Sequence, residues 1–154
     1  MAMLEDGDRI TVNLGGSTPV ATWRAWGLAG NRFVKRKLDA EADIPSSGYS
    51  VMTCVACTAG DTEVVGLLVG VNGGDYDLQG TVLLRAADAT VKGTGTAQTP
   101  IAHGNAVEAN GMQFNTDNEV LADGTANGFG KIIGGTIAEP RVSFLSSLYT
   151  AGRS

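Results

Sequence analysis

Short apolar runs separated by glycine- and asparagine-rich turns recur along this chain of 154 residues. Over residues 9–14 the alternation is strict. Ile10, Val12 and Leu14 share one face while Arg9, Thr11 and Asn13 share the other, the pattern of a half-buried strand. Residues 62–71 are apolar on both faces, which predicts a strand in a central position or between two layers. Gly66 and Gly70 inside it mark a bulge or a close backbone approach. Residues 49–58, 78–85, 119–121, 130–134 and 141–145 read as further strands, with Leu148 and Tyr149 capping the apolar end. Ala106-Val107-Glu108-Ala109 and Met112-Gln113-Phe114 flank Asn110-Gly111, the signature of a two-residue β-hairpin, because both turn residues must adopt positive φ. After Ala86 the pattern loosens, and residues 91–100 read as a small-residue loop.

Two segments carry mixed signals. Residues 20–26 read as a strand with Trp23 beside Ala21 and Ala25, and Trp26 on the opposite face. One tryptophan then packs inside and the other meets a partner or a loop. Residues 33–43 have the best helix propensity in the chain, with Lys35–Asp39 and Lys37–Glu41 spaced i,i+4. They form either one short helix or a strand running into a loop. The expectation is an all-β fold, a small β-barrel or β-sandwich with many glycine-rich turns, at most one short helix and an extended N-terminal arm. Residues 1–16 are the arm and first strand, and residues 17–154 a single β domain.

Composition sharpens this picture. Glycine contributes 22 residues, about twice the usual share, and charged residues make up 18%, below the usual ~25%. A small, neutral surface suits either a turn-rich β domain or close packing against another protein. The net charge of −5 argues against nucleic acid as a partner. Arg32, Lys35, Arg36 and Lys37 nevertheless form one basic cluster, readable as a solvated face or as a docking patch for an acidic surface. No apolar run approaches the ~18 residues of a membrane span, and the N-terminus lacks the pattern of a signal peptide, so a cytoplasmic product is expected.

Candidate chemistry is sparse. Cys54 and Cys57 lie three apart on a strand, hence on opposite faces, and read as buried free thiols rather than a zinc pair. His103 has no nucleophile or second acid beside it. The run Gly124–Lys131 has the wrong spacing for a phosphate loop, and Ile132 replaces its hydroxyl residue. Asn115-Thr116-Asp117-Asn118-Glu119 and Asp75-Tyr76-Asp77 offer oxygens but lack the calcium-loop glycine and glutamate, so both read as Asx turns. A non-enzymatic protein without metal or cofactor is the expectation.

The phrases Gly104-Asn105-Ala106-Val107-Glu108-Ala109-Asn110-Gly111, Leu121-Ala122-Asp123-Gly124-Thr125-Ala126 and Ile132-Ile133-Gly134-Gly135 resemble the small head-decoration (cement) proteins of tailed bacteriophages. The resemblance covers the C-terminal two-thirds and is one of texture rather than of a fixed motif. It implies a virion structural protein on the outer capsid surface, made in the host cytoplasm. Such a protein holds neighbouring major capsid subunits against internal DNA pressure, and often self-associates as a trimer or dimer. Trp23, Trp26, Arg32, Lys35, Arg36 and Lys37 are then the expected docking residues, with residues 1–16 as an arm. The alternative is a tail-fibre, spike or cell-surface module that stacks carbohydrate on Trp23, Trp26 and Tyr76.

Overall fold

The computed structural model describes residues 8–37, 52–61, 63–75, 77–95, 111–123 and 130–149. Strands β1 (Arg9–Leu14), β2 (Arg32–Arg36), β3 (Thr53–Ala56), β4 (Val64–Asn72) and β5 (Gln79–Leu83) close a barrel in the order β1-β3-β2-β4-β5. Among the described residues of the barrel, only the β1–β3 contact is parallel. Strands β6 (Arg85–Thr90), β7 (Gly111–Phe114), β8 (Val120–Asp123), β9 (Gly130–Gly135) and β10 (Pro140–Leu145) form a second sheet in the order β6-β10-β9-β7-β8. The fold is all-β with one short helix, as expected, and it joins a closed barrel to a sheet packed on the barrel's wall.

The two bodies have separate cores. Inside the barrel, Val12, Val34, Cys54, Val65, Leu68 and Val82 pack with Trp23. Between wall and sheet, Phe33, Cys57, Val64 and Leu67 from the barrel meet Val91, Met112, Phe114, Val120, Ile132, Val142 and Phe144. Phe33 anchors this second core, edge-on to Phe114 at 5.7 Å and to Phe144 at 5.1 Å between ring centroids. Edge-to-face pairs of this kind add about 0.5–1.5 kcal/mol each beyond burial. The two faces of β4 therefore serve two cores, as its sequence predicts.

Gly66 is what permits this. The β2–β4 register shifts between Val34 and Lys35, and the β4–β5 register shifts between Leu68 and Gly70. At Gly66 the backbone runs against β5, so a Cβ there would fall within contact distance of the Leu83 carbonyl oxygen. Between β5 and β6, the single residue Leu84 carries the chain from barrel to sheet. Its N–H donates to the Asp8 carbonyl at 2.6 Å, and its carbonyl accepts the Ser146 N–H at 2.7 Å.

Several expectations need correction. Residues 20–26 are not a strand: α1 (Val20–Ala29) is a helix that starts after Pro19 and ends at Gly30, φ 67°. The Gly30 N–H donates to the Trp26 carbonyl at 2.8 Å, a glycine stop signal that outweighs the β-branched Val20 and Thr22. On a helix, Trp23 and Trp26 are one turn apart and touch edge-to-face at 5.5 Å, instead of lying on opposite faces. Arg32–Arg36 is the strand alternative for residues 33–43, and residues beyond 37 in that segment lie outside the described ones. Residues 85–90 form a strand rather than the start of a loose segment, although Arg-Ala-Ala-Asp-Ala-Thr carries little apolar signal. Leu148 is exposed, while Tyr149, in a 3-10 turn at Ser147–Tyr149, packs on the barrel core. β1 is a barrel strand paired with β5 and β3 rather than part of a free arm. The first seven residues, the Ala106–Ala109 strand with Asn110, His103, Tyr76 and residues 124–129 lie outside the described residues.

Changing Gly66 to Ala is expected to lower stability by about 1–3 kcal/mol through backbone overpacking. Urea unfolding checks it: the midpoint falls while the slope is unchanged.

Candidate functional site

Where the round barrel leaves the flatter sheet, a cleft of about 800 Å³ opens. Its walls are the β1–α1 loop (Gly16 to Pro19), Thr22 and Trp26 of α1, Arg32 and Lys35 of β2, Val55 to Thr58, and the β7–β8 turn from Thr116 to Glu119. That volume suits a small ligand or a segment of chain.

The β7–β8 turn is built by Asn115, whose side-chain oxygen accepts the N–H of Asp117 at 3.0 Å and of Glu119 at 2.9 Å. This is the Asx turn expected from the sequence. It holds Asn118 at φ 64°, a left-handed conformation that asparagine tolerates better than most residues. Asn118 is buried, and its Nδ2 donates to the Phe33 carbonyl at 2.9 Å and to the Cys57 carbonyl at 2.8 Å. One amide thus ties the second sheet to β2 and to the residue that follows β3.

Arg32 lies half-buried across the Trp26 ring, 4.7 Å from its centroid, a cation–π contact. Its Nη1 donates to the Asp117 carbonyl at 2.9 Å and to the Asn118 carbonyl at 3.4 Å. Burial lowers the guanidinium pKa from its ordinary value, and the nearby Glu119 and Asp117 oppose that shift. Lys35 pairs with Asp61 at 2.7 Å, and Asp61 also accepts the Thr58 N–H at 2.6 Å.

The expected docking residues therefore divide. Trp26, Arg32 and Lys35 converge on the cleft. Trp23 is 2% exposed, a core residue rather than a contact residue. Arg36 is exposed, and Lys37 follows the end of β2, where its N–H bonds to Thr53; neither lines the cleft. Asn118, Asp117, Glu119 and Thr58 join the site; the first three lie in the segment whose sequence offers oxygens for calcium but reads as an Asx turn.

Cys54 and Cys57 are buried thiols outside any disulfide, divided between the two cores in line with their opposite-face reading. Burial holds the Cys57 thiol well above its ordinary pKa, with Asp61 adding to the shift, so it stays protonated at neutral pH. Among the described residues no group of three acidic, histidine or cysteine side chains is placed to hold a metal. No helix among them is long and apolar enough to cross a membrane. No protein-family model, curated protein or solved structure matches this chain.

Two outcomes follow from this geometry. Asn118→Gly keeps the backbone freedom but strands two buried carbonyls, and should destabilise by about 1–3 kcal/mol in urea unfolding. Asn118→Ala should cost about 1–2 kcal/mol more, through left-handed strain. The raised Cys57 pKa favours the folded state fully below the unfolded thiol's pKa. Stability should fall as pH rises above about 8.5, by up to about 1.4 kcal/mol per pH unit. Comparing Cys57→Ala with the parent protein between pH 8 and about pH 10 isolates this slope.

Proposed function

We propose that this protein is a non-enzymatic decoration protein of a phage head, docking on the outer capsid surface and bridging neighbouring major capsid subunits. The observation that carries the reading is the second sheet. One face is locked to the barrel by the Phe33 core and Asn118, and the other face has no layer over it among the described residues. That outer side exposes Ile133 on β9 and Leu145 on β10, with Ile137 in the turn between these strands. Two ion pairs offset charge on it, Arg141 Nε and Nη2 gripping both oxygens of Asp88 and Arg85 meeting Asp8 at 2.7 Å, and Lys131 lies beside Ile133. An open, nearly neutral sheet with exposed apolar side chains suits contact with another protein.

A bridge needs two contact surfaces, and the cleft supplies a second. A body stiffened by two cores transmits load between them without deforming. Weak contacts repeated over a shell add up through multivalency. Self-association as a trimer or dimer is part of the same reading, with neither nucleic acid nor membrane as a partner. The carbohydrate alternative retains only Trp26 among the described residues, and its ring already carries Arg32. Trp23 lies in the core.

The test is occupancy on purified heads, read by quantitative gel, together with head thermal stability. Wild type should be present in proportion to the shell subunits and should raise the temperature of head disruption. The doubly substituted Ile133→Asp, Leu145→Asp chain should lose about tenfold in occupancy, equivalent to about 1.4 kcal/mol. Sugar binding on a glycan array, with heads equally stable without the protein, would instead favour the carbohydrate module.

A further inference from the structure

We infer that the cleft receives an extended peptide segment of the partner protein, one of whose backbone amides seats between Arg32 and Asn118. This deepens the docking reading above and rests on it. Arg32 Nε carries a proton with no acceptor, and Asn118 Oδ1 accepts no hydrogen bond, among the described residues. Both atoms are shielded from solvent, and Asn118 as a whole is only 2% exposed. Unpaired buried groups of this kind are uncommon in folded proteins. Both residues line the cleft, so a side-chain shift there turns one donor and one acceptor toward a peptide group, which brings one C=O and one N–H.

The strand edge beside them points the same way. The parallel β1–β3 pairing ends at Leu14 and Cys54, where the Gly15 N–H donates to the Cys54 carbonyl at 3.0 Å. β3 continues to Ala56, and the cleft wall continues to Thr58. A strand that outruns its neighbour offers a place for an extended segment to add. On the opposite wall, α1 begins at Pro19 without a side-chain cap and with no acidic residue in its first turn. Its first N–H groups favour a carbonyl or a single acidic side chain of the incoming segment. Asp117 and Glu119 across the cleft disfavour a polyanion. A sugar would need a free aromatic face, and Arg32 covers one face of Trp26.

The test uses the full chain on purified heads. A photo-reactive benzoylphenylalanine replaces Ser17 on the exposed loop, and a separate Thr116→Trp variant narrows the rim. Both positions are exposed, so the fold is kept. The inference expects cross-links confined to one contiguous segment of a shell subunit, and about a tenfold loss of occupancy for Thr116→Trp. Full occupancy of Thr116→Trp, with no cross-link from Ser17, overturns the cleft assignment while leaving the decoration reading intact. If wild type does not bind heads, the decoration reading fails, and a particle-free arm still decides the cleft. Amide NMR shifts at Ala56, Thr58 and Asn118 on adding N-acetyl-trialanine methylamide support a peptide site. Shifts with maltotriose alone, or with neither probe, overturn it.

Discussion

One two-stranded wall has to serve two hydrophobic cores at once, and the rest of the molecule follows from that constraint. β2 and β4 bury Val34, Val65 and Leu68 inside the barrel and Phe33, Val64 and Leu67 against the second sheet. Simple alternation cannot hold both sets in register along a closed, strongly curved strand. The wall slips by a residue twice, against β5 between Leu68 and Gly70 and against β2 beside Gly66, and the slips re-aim the side chains that follow. At Gly66 glycine is required because the neighbouring carbonyl occupies the space a side chain would need.

The cleft is a by-product of the same arrangement. A cylinder and a flatter sheet touch along a line and part on either side of it, and the gap on one side is closed by loops. The β7–β8 turn reaches across and binds two barrel carbonyls through Asn118. Arg32 fastens the other side of that turn through the Asp117 and Asn118 carbonyls. The residues that hold the two bodies together are therefore those that line the opening between them. Structure and recognition share one set of side chains.

Much of the fold was legible because strands announce themselves by alternation and turns by glycine. Ile10, Val12 and Leu14 face the barrel core as their spacing says, and the two-faced apolarity of residues 64–71 reports a wall between layers. Helix α1 was missed because Val20 and Thr22 are β-branched and the two tryptophans obscured the period. The signals that counted were Pro19 at its start and Gly30 after its end. β6 was invisible because alanine, aspartate and threonine on a sheet edge leave almost no hydrophobic pattern. For the site, the basic cluster pointed to the right strand, yet only Arg32 and Lys35 turn toward the cleft. Asn118 was hidden for another reason: its amide acts on residues 61 and 85 positions away, a partnership no local window contains.

The chain crosses between its two bodies at Leu84: among the described residues, the barrel strands all precede that point and the strands of the second sheet all follow it. Translation follows the same order. The barrel can close while the ribosome is still making the remainder, leaving Phe33, Cys57, Val64 and Leu67 as a bare greasy flank on a finished cylinder. Until the later strands arrive to cover it, that flank is the newborn molecule's most adhesive surface. The interval between the two halves is when a chaperone would have most to do.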